Sequence, residues 1–212
     1  MSKPAEQGFK IVGSLLCLDF VNTAPMLHGE QVETLRQLPD LVAWCRAVGV
    51  LNKREAHDAE ARWTETAEGE AAFAVAIELR AALLTLIERI VTDQPVSHDT
   101  IDIINRVLAS RLSYRRLVRE GHTFRTILTS QLEDPIQLLV PVAESAAELL
   151  EHGNTTLIRQ CENPSCGLYF YDTTKNQSRR WCSMEVCGSR SKAAAYYQRR
   201  RASQTKPPDL TI

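Results

Sequence analysis

The chain has 212 residues, 25 Lys+Arg against 26 Asp+Glu, and a formal net charge of −1. Its 44% hydrophobic content suits a core shared by one or two domains, and nine Gly with nine Pro are too few for a collagenous or low-complexity chain. No apolar run reaches the roughly 18 residues of a membrane span, and the polar start shows no secretory pattern, so the expectation is a cytoplasmic protein.

In chain order, Phe9 to Val21 is an apolar stretch that periodicity alone leaves open between strand and short helix. Leu38, Leu41, Val42, Cys45 and Val48 recur at helical spacing, with Pro39 suited to the first turn and Gly49 to the C-terminal cap. Asn52 and Glu55 form a capping-box pattern for a further helix. The clearest helix runs from about Glu68 to Val91, with Ala72, Ala76, Leu79, Leu83, Leu86 and Ile87 on one face. Another, capped by Ser97 or Asp99, carries Ile101, Ile104, Val107 and Leu108. Tyr114–Val118 and Phe124–Thr129 flank Glu120-Gly121-His122 as a hairpin. A last helix opens at Asp134-Pro135 and ends at Gly153, with Pro141 expected to bend or interrupt it.

The six cysteines are unevenly placed. Cys17 and Cys45 stand alone in apolar surroundings and read as core residues, while Cys161, Cys166, Cys182 and Cys187 form a C-x4-C-x15-C-x4-C pattern. Four thiolates make a closed tetrahedral shell for zinc, a structural rather than catalytic site. Leu168–Tyr171 and Arg179–Trp181 are expected to pair as a hairpin between the two cysteine pairs, followed by a helix for which Ser189 is a candidate N-cap. Knuckle, hairpin and helix in that order are the treble-clef arrangement. Tyr169, Phe170 and Trp181 read as its small core.

Charge divides the chain in the same place. Between Thr155 and Lys206, ten basic residues face three acidic ones, a net +7 that leaves −8 for the remainder. Zinc on four thiolates adds about −2 to the basic piece, which stays clearly positive and suggests a polyanion partner. Arg190 and Lys192 are candidate contacts that position the following helix on such a partner, and Arg199, Arg200 and Arg201 candidate sources of sequence-independent attraction to its phosphate backbone; Arg179 and Arg180 on the expected hairpin flank the same surface. The plainer reading of these residues is a solvated helix end that complements the helix dipole. In the body, Arg80 within an apolar helical pattern and Asp19 read as a buried ion pair. The alternative is a small-ligand pocket built from Asp19, Asn22 and Arg80.

At WCSMEVCGSR the sequence resembles the CGNR-type zinc finger, with Phe170, Asp172, Arg179-Arg180-Trp181 and Lys192 also fitting; Ser189 stands where that family's name has Asn. LCLDFVNT at Leu16–Thr23, Trp44 before Val48-Gly49, and Glu78–Leu83 are similar to the ABATE domain that precedes such fingers. The resemblance implies a transcription regulator in which a helix-rich sensing or scaffold domain carries a DNA-binding finger.

The resulting expectation is a mainly helical α+β protein: an ABATE-like domain over 1–154 with a small β-hairpin or sheet, a treble-clef finger over 155–206 and a tail over 207–212. Its expected cofactor is structural Zn2+ and its expected partner duplex DNA, with a small-molecule effector and a homodimer as further possibilities. RNA binding, which exposed aromatics on the finger hairpin would favour, and a protein-interaction module with purely structural zinc are the alternatives. No P-loop, G-x-S-x-G, G-x-G-x-x-G or H-E-x-x-H is present, and an enzyme is not expected.

Overall fold

The apolar opening stretch divides in two. The computed structural model describes residues 8–204, so the 207–212 tail and the last two residues of the expected finger lie outside the described residues. The chain is irregular up to Leu15, and α1 then spans Leu16–Val21 with Cys17, Leu18, Phe20 and Val21 buried. So short a helix cannot stand on backbone propensity; burial of most of its surface holds it.

A small hairpin follows that no apolar pattern announces: β1 (Met26–Leu27) pairs antiparallel with β2 (Glu30–Gln31). Its turn, His28-Gly29, takes positive φ at both residues. Helix α2 (Leu38–Ala47) has Pro39 in its first turn, and Gly49, at φ +79°, follows its end. Helix α3 (Lys53–Trp63) opens with the expected capping box, Asn52 and Glu55 each bonding the other's backbone N–H. Helix α4 (Ala67–Val91) begins after Thr66, whose hydroxyl accepts from Gly69 N. Its buried face is Ala72, Ala76, Leu79, Leu83, Leu86 and Ile87. Helix α5 spans His98–Ala109.

Strands β3 (Ser113–Glu120) and β4 (Thr123–Ser130) form an antiparallel two-stranded sheet. Gly121, at φ +62°, supplies the left-handed position of their two-residue turn. The run after Asp134 is interrupted as expected: a 3-10 turn covers Pro135–Leu139, and α6 (Val140–His152) then begins with Pro141 in its first turn, where no N–H is needed.

The remaining elements are β5 (Ile158–Gln160), β6 (Tyr169–Tyr171) and α7 (Ser189–Gln204). β5 and β6 pair antiparallel with Arg159 opposite Phe170. One large core joins α1, α2, α4, α5 and α6 around Phe20, Trp44, Leu79, Leu83 and Leu139, and Ile158 and Tyr169 belong to it. A second, smaller cluster holds the four C-terminal cysteines with Leu168 and Phe170. The architecture is mainly helical α+β with small antiparallel sheets.

Candidate metal centre and nucleic-acid interface

The first cysteine pair sits in a loop that the β5–β6 hairpin closes. Cys161 N donates to Leu168 O at 2.9 Å and continues the ladder. Beyond it, Asn163 turns the chain: its carbonyl accepts from Cys166 N at 2.8 Å and its Oδ1 from Ser165 N at 3.0 Å. Pro164 fits the second position of that turn. Gly167 meets β1 so closely that a Cβ there would lie 2.8 Å from Met26 O, and Gly167 N donates to that oxygen at 2.7 Å. His28 N donates to Ser165 O, so β1 and its turn brace the knuckle from the N-terminal side.

The second pair comes from Cys182 and from a single π-helical turn, Met184–Gly188, that contains Cys187 and runs directly into α7. Ser183 caps that turn, its hydroxyl accepting from Val186 N at 3.3 Å. The expected cap, Ser189, already lies in helix and instead donates to Met184 O at 3.3 Å. The cap shifted because the turn carrying Cys187 is itself helical, so the free N–H groups begin six residues earlier than Ser189.

All four sulfurs are buried and lie within 4.8 Å of one another. Cys166 Sγ is 3.7 Å from Cys182 Sγ, which is 3.6 Å from Cys187 Sγ. Sulfurs at about 2.3 Å from a shared zinc stand about 3.8 Å apart, so the donor set fits a tetrahedral ion. It does not fit disulfides: all four are free thiols, and a bond needs sulfurs at about 2 Å. Cys182 N donates to Cys161 Sγ at 3.4 Å and so ties the second cysteine pair to the first. The hydrogen bond from Cys182 draws the Cys166 thiol down to about 5 and pushes Cys182 itself upward. Burial raises Cys187 to about 11.

The hairpin expected between the cysteine pairs does not form. Strand β6 pairs backward with β5, and Arg179–Trp181 is not a strand. The groups that would have made a second ladder are spent otherwise. Arg179 N donates to Asp172 Oδ2 at 2.8 Å, and Arg180 O accepts from Glu162 N. Asp172 also accepts from Thr174 N and Thr174 Oγ1, at 2.9 and 2.6 Å. Burial pulls its carboxyl pKa upward, but these bonds outweigh that and hold it below the ordinary carboxylate value.

Arg179 and Arg180 both bond to protein groups. Arg179 lies over the Phe170 ring and donates to Val12 O, Trp181 O and Cys182 O, tying the metal loop to the N-terminal segment. Arg180 pairs with Glu162 at 2.6 Å and lies over Trp181. By contrast, Arg190 and Lys192 are exposed in the first turn of α7 and engage no acidic group among the described residues. Arg200 is exposed on the same helix. The side chains of Arg199 and Arg201 lie outside the described residues, although their backbone is helical. Of the three aromatics expected in the finger core, Phe170 is buried there with Trp181 half-buried against it, whereas Tyr169 is buried in the main core.

The three body residues do not converge on a pocket. Asp19 Oδ1 accepts from Val12 N and Gly13 N at 2.8 and 2.7 Å. Asn22 clasps the backbone of Tyr169. Arg80 does not pair with Asp19: it bonds both carboxylate oxygens of Glu33 and donates to Thr23 Oγ1. Periodicity located the buried arginine, but its partner sits in a loop that carries no pattern.

Residues 158–200 match the family model of the CGNR zinc finger. Residues 15–153 match the ABATE model, described as "Putative stress-induced transcription regulator". The chain belongs to the ABATE family. No curated protein matches it. The CGNR finger and the clustered thiols together make its cofactor a structural zinc, held by Cys161, Cys166, Cys182 and Cys187. An ABATE domain followed by a CGNR finger is the make-up of a transcription regulator. No helix among the described residues of this ABATE chain is long and apolar enough to cross a membrane.

Proposed function

We propose that this ABATE chain regulates transcription by binding duplex DNA through its finger, with α7 as the contacting element and the N-terminal domain as its mount. It acts on this reading as a binding protein and not as an enzyme. The supporting observation is the contrast among the arginines. Arg179 is taken up by the metal loop and Arg180 pairs with Glu162 at the surface, whereas Arg190 and Lys192 stand exposed, with no acidic partner among the described residues, where the metal-organised turn becomes α7. On this reading the knuckle, the metal-bearing turn and α7 act as a treble clef without its hairpin, and such a mount fixes a cationic helix start at little entropic cost. Past Ser191, every described side chain of α7 is exposed. These side chains bury no face in a core, and a phosphate-lined groove supplies the missing partner. Burial of Tyr169 and Phe170 withdraws those two rings from base stacking, whereas Tyr196 and Tyr197 stay exposed on α7, so competition with RNA belongs to the test.

The test is fluorescence anisotropy of the full zinc-loaded chain on a pool of genomic duplex fragments at several salt concentrations. Binding should weaken steeply with salt, by about 0.9 logarithmic units per phosphate contacted for each tenfold rise in salt. R190E/K192E should weaken it at least about tenfold with unchanged melting temperature. Absence of binding at low salt would overturn the proposal, and preferential displacement by structured RNA would reassign the partner.

A further inference from the structure

The β3–β4 hairpin is basic on an acidic body. Between Arg111 and Ser130, five arginines face one glutamate, while the rest of residues 1–154 carries a net −11. It is a sheet of two strands with no third strand among the described residues. Isolated hairpins are marginal in water. The pairing register places Arg115, Leu117, Arg119, Phe124, Thr126 and Leu128 on one face, and all six are exposed. Leu117, Phe124 and Leu128 are 65%, 65% and 60% exposed, an apolar strip that the monomer leaves in water.

The two edges differ. β3 carries Arg115, Arg116 and Arg119, charges that guard an edge against pairing. β4 reads TFRTILTS, with no proline and a single charge, Arg125, which is already paired to Glu120 at 2.8 Å. Counted outward from the two-residue turn, Glu120 and Thr123 form a hydrogen-bonded pair. Phe124, Thr126 and Leu128 therefore direct their N–H and C=O groups away from β3.

We infer that β4 is a homodimer edge, pairing antiparallel with β4 of a second copy about a two-fold axis at Thr126. In that register Thr126 faces its own mate, and Phe124 faces Leu128 of the second copy. Each pair joins residues whose backbone groups point outward, so both hydrogen bonds of every pair are available. Phe124 against Leu128 is a favourable aromatic–aliphatic cross-strand pair. Arg125 falls opposite Ile127 rather than its own mate, so no like charges meet. Pairing through β3 would juxtapose arginines, and stacking the apolar faces would oppose Arg115 and Arg119 with no acid on that face. The result is one four-stranded sheet, β3-β4-β4-β3, with the two apolar strips merged. The duplex-binding reading is not a premise of this one.

Sedimentation equilibrium of the full zinc-loaded chain should give a dimer mass in the micromolar range. T126K, which places like charges on the axis, and T126P, which removes an outward N–H while sparing the β3–β4 ladder, should both give monomers with unchanged helical circular dichroism. Hydrogen exchange should show the amides of Phe124, Thr126 and Leu128 at least about tenfold slower in the parent than in T126K. A monomer at concentrations up to about 100 μM, a T126K dimer, or a parent dimer in which those amides exchange as fast as in T126K would each overturn the inference.

Discussion

Asn22 and Tyr169, 147 residues apart, exchange two hydrogen bonds: Asn22 Nδ2 donates to Tyr169 O at 2.8 Å, and Tyr169 N donates to Asn22 Oδ1 at 2.9 Å. The side-chain amide acts as one rung of a β-ladder and fastens β6 to the end of α1. Both groups are buried, so the rung has no water to replace it. Asn22→Ala should cost about 1–3 kcal/mol for each orphaned backbone group. Urea denaturation of the two proteins measures it, and a loss within about 0.5 kcal/mol would show that the strand finds other partners.

Because Ile158 and Tyr169 lie in the main core, the metal should stabilise more than the finger. Chelation of zinc is expected to lower the melting temperature of the entire chain. At free zinc 1,000-fold above its dissociation constant, the linkage is worth about 4 kcal/mol. Thermal melts with and without chelator decide the point. A body that melts unchanged while only the finger is lost would contradict the coupling.

Arg80 is buried, and its charge is met by Glu33 and the Thr23 hydroxyl. Glu33→Gln should therefore destabilise the fold by leaving a cation without its counter-charge. Removing one partner of a fully buried pair costs about 3–5 kcal/mol. Here the carboxylate is 38% exposed, which reduces the expected loss to about 2 kcal/mol. Equilibrium denaturation should show the loss, and R80M, which removes the charge as well, should recover part of it.

Burial pushes the Cys45 thiol up to about 12 and that of Cys17 up to about 11. An unfolded thiol ionises near 8.5, so above that pH the unfolded chain has released protons that the folded chain keeps. The stability these groups contribute is complete below about pH 8.5 and is lost as pH rises toward 11 and 12. Stability of the parent should fall more steeply between about pH 8.5 and 11 than that of Cys45→Ala. Parallel pH profiles would refute the assignment. Neither thiol should react with a thiol reagent near neutral pH without denaturant.

The sequence was most legible where one local rule sufficed. The Asn52–Glu55 capping box, the apolar stripe of α4 and the Pro141 break each follow from residues within a few turns of one another. The cysteine spacing alone likewise specified a four-thiolate metal centre. The hairpin expected between the cysteine pairs lies beyond such a rule, because alternation in Leu168–Tyr171 identifies a strand without identifying its partner. Tertiary structure supplied that partner upstream, in β5, and turned Arg179 inward to Val12 and Cys182.

What sequence determined by itself is therefore the inventory: helices, the zinc ligands, a basic end and an acidic body. Only the tertiary structure decided which polar groups are spent. Asp19, Asn22, Arg80, Arg179 and Arg180 resemble candidate binding residues as letters, yet each is satisfied by a group distant in the chain or across a turn. The physical reason is that a buried polar atom must find a partner, and folding selects that partner by proximity in space rather than by any periodic signal.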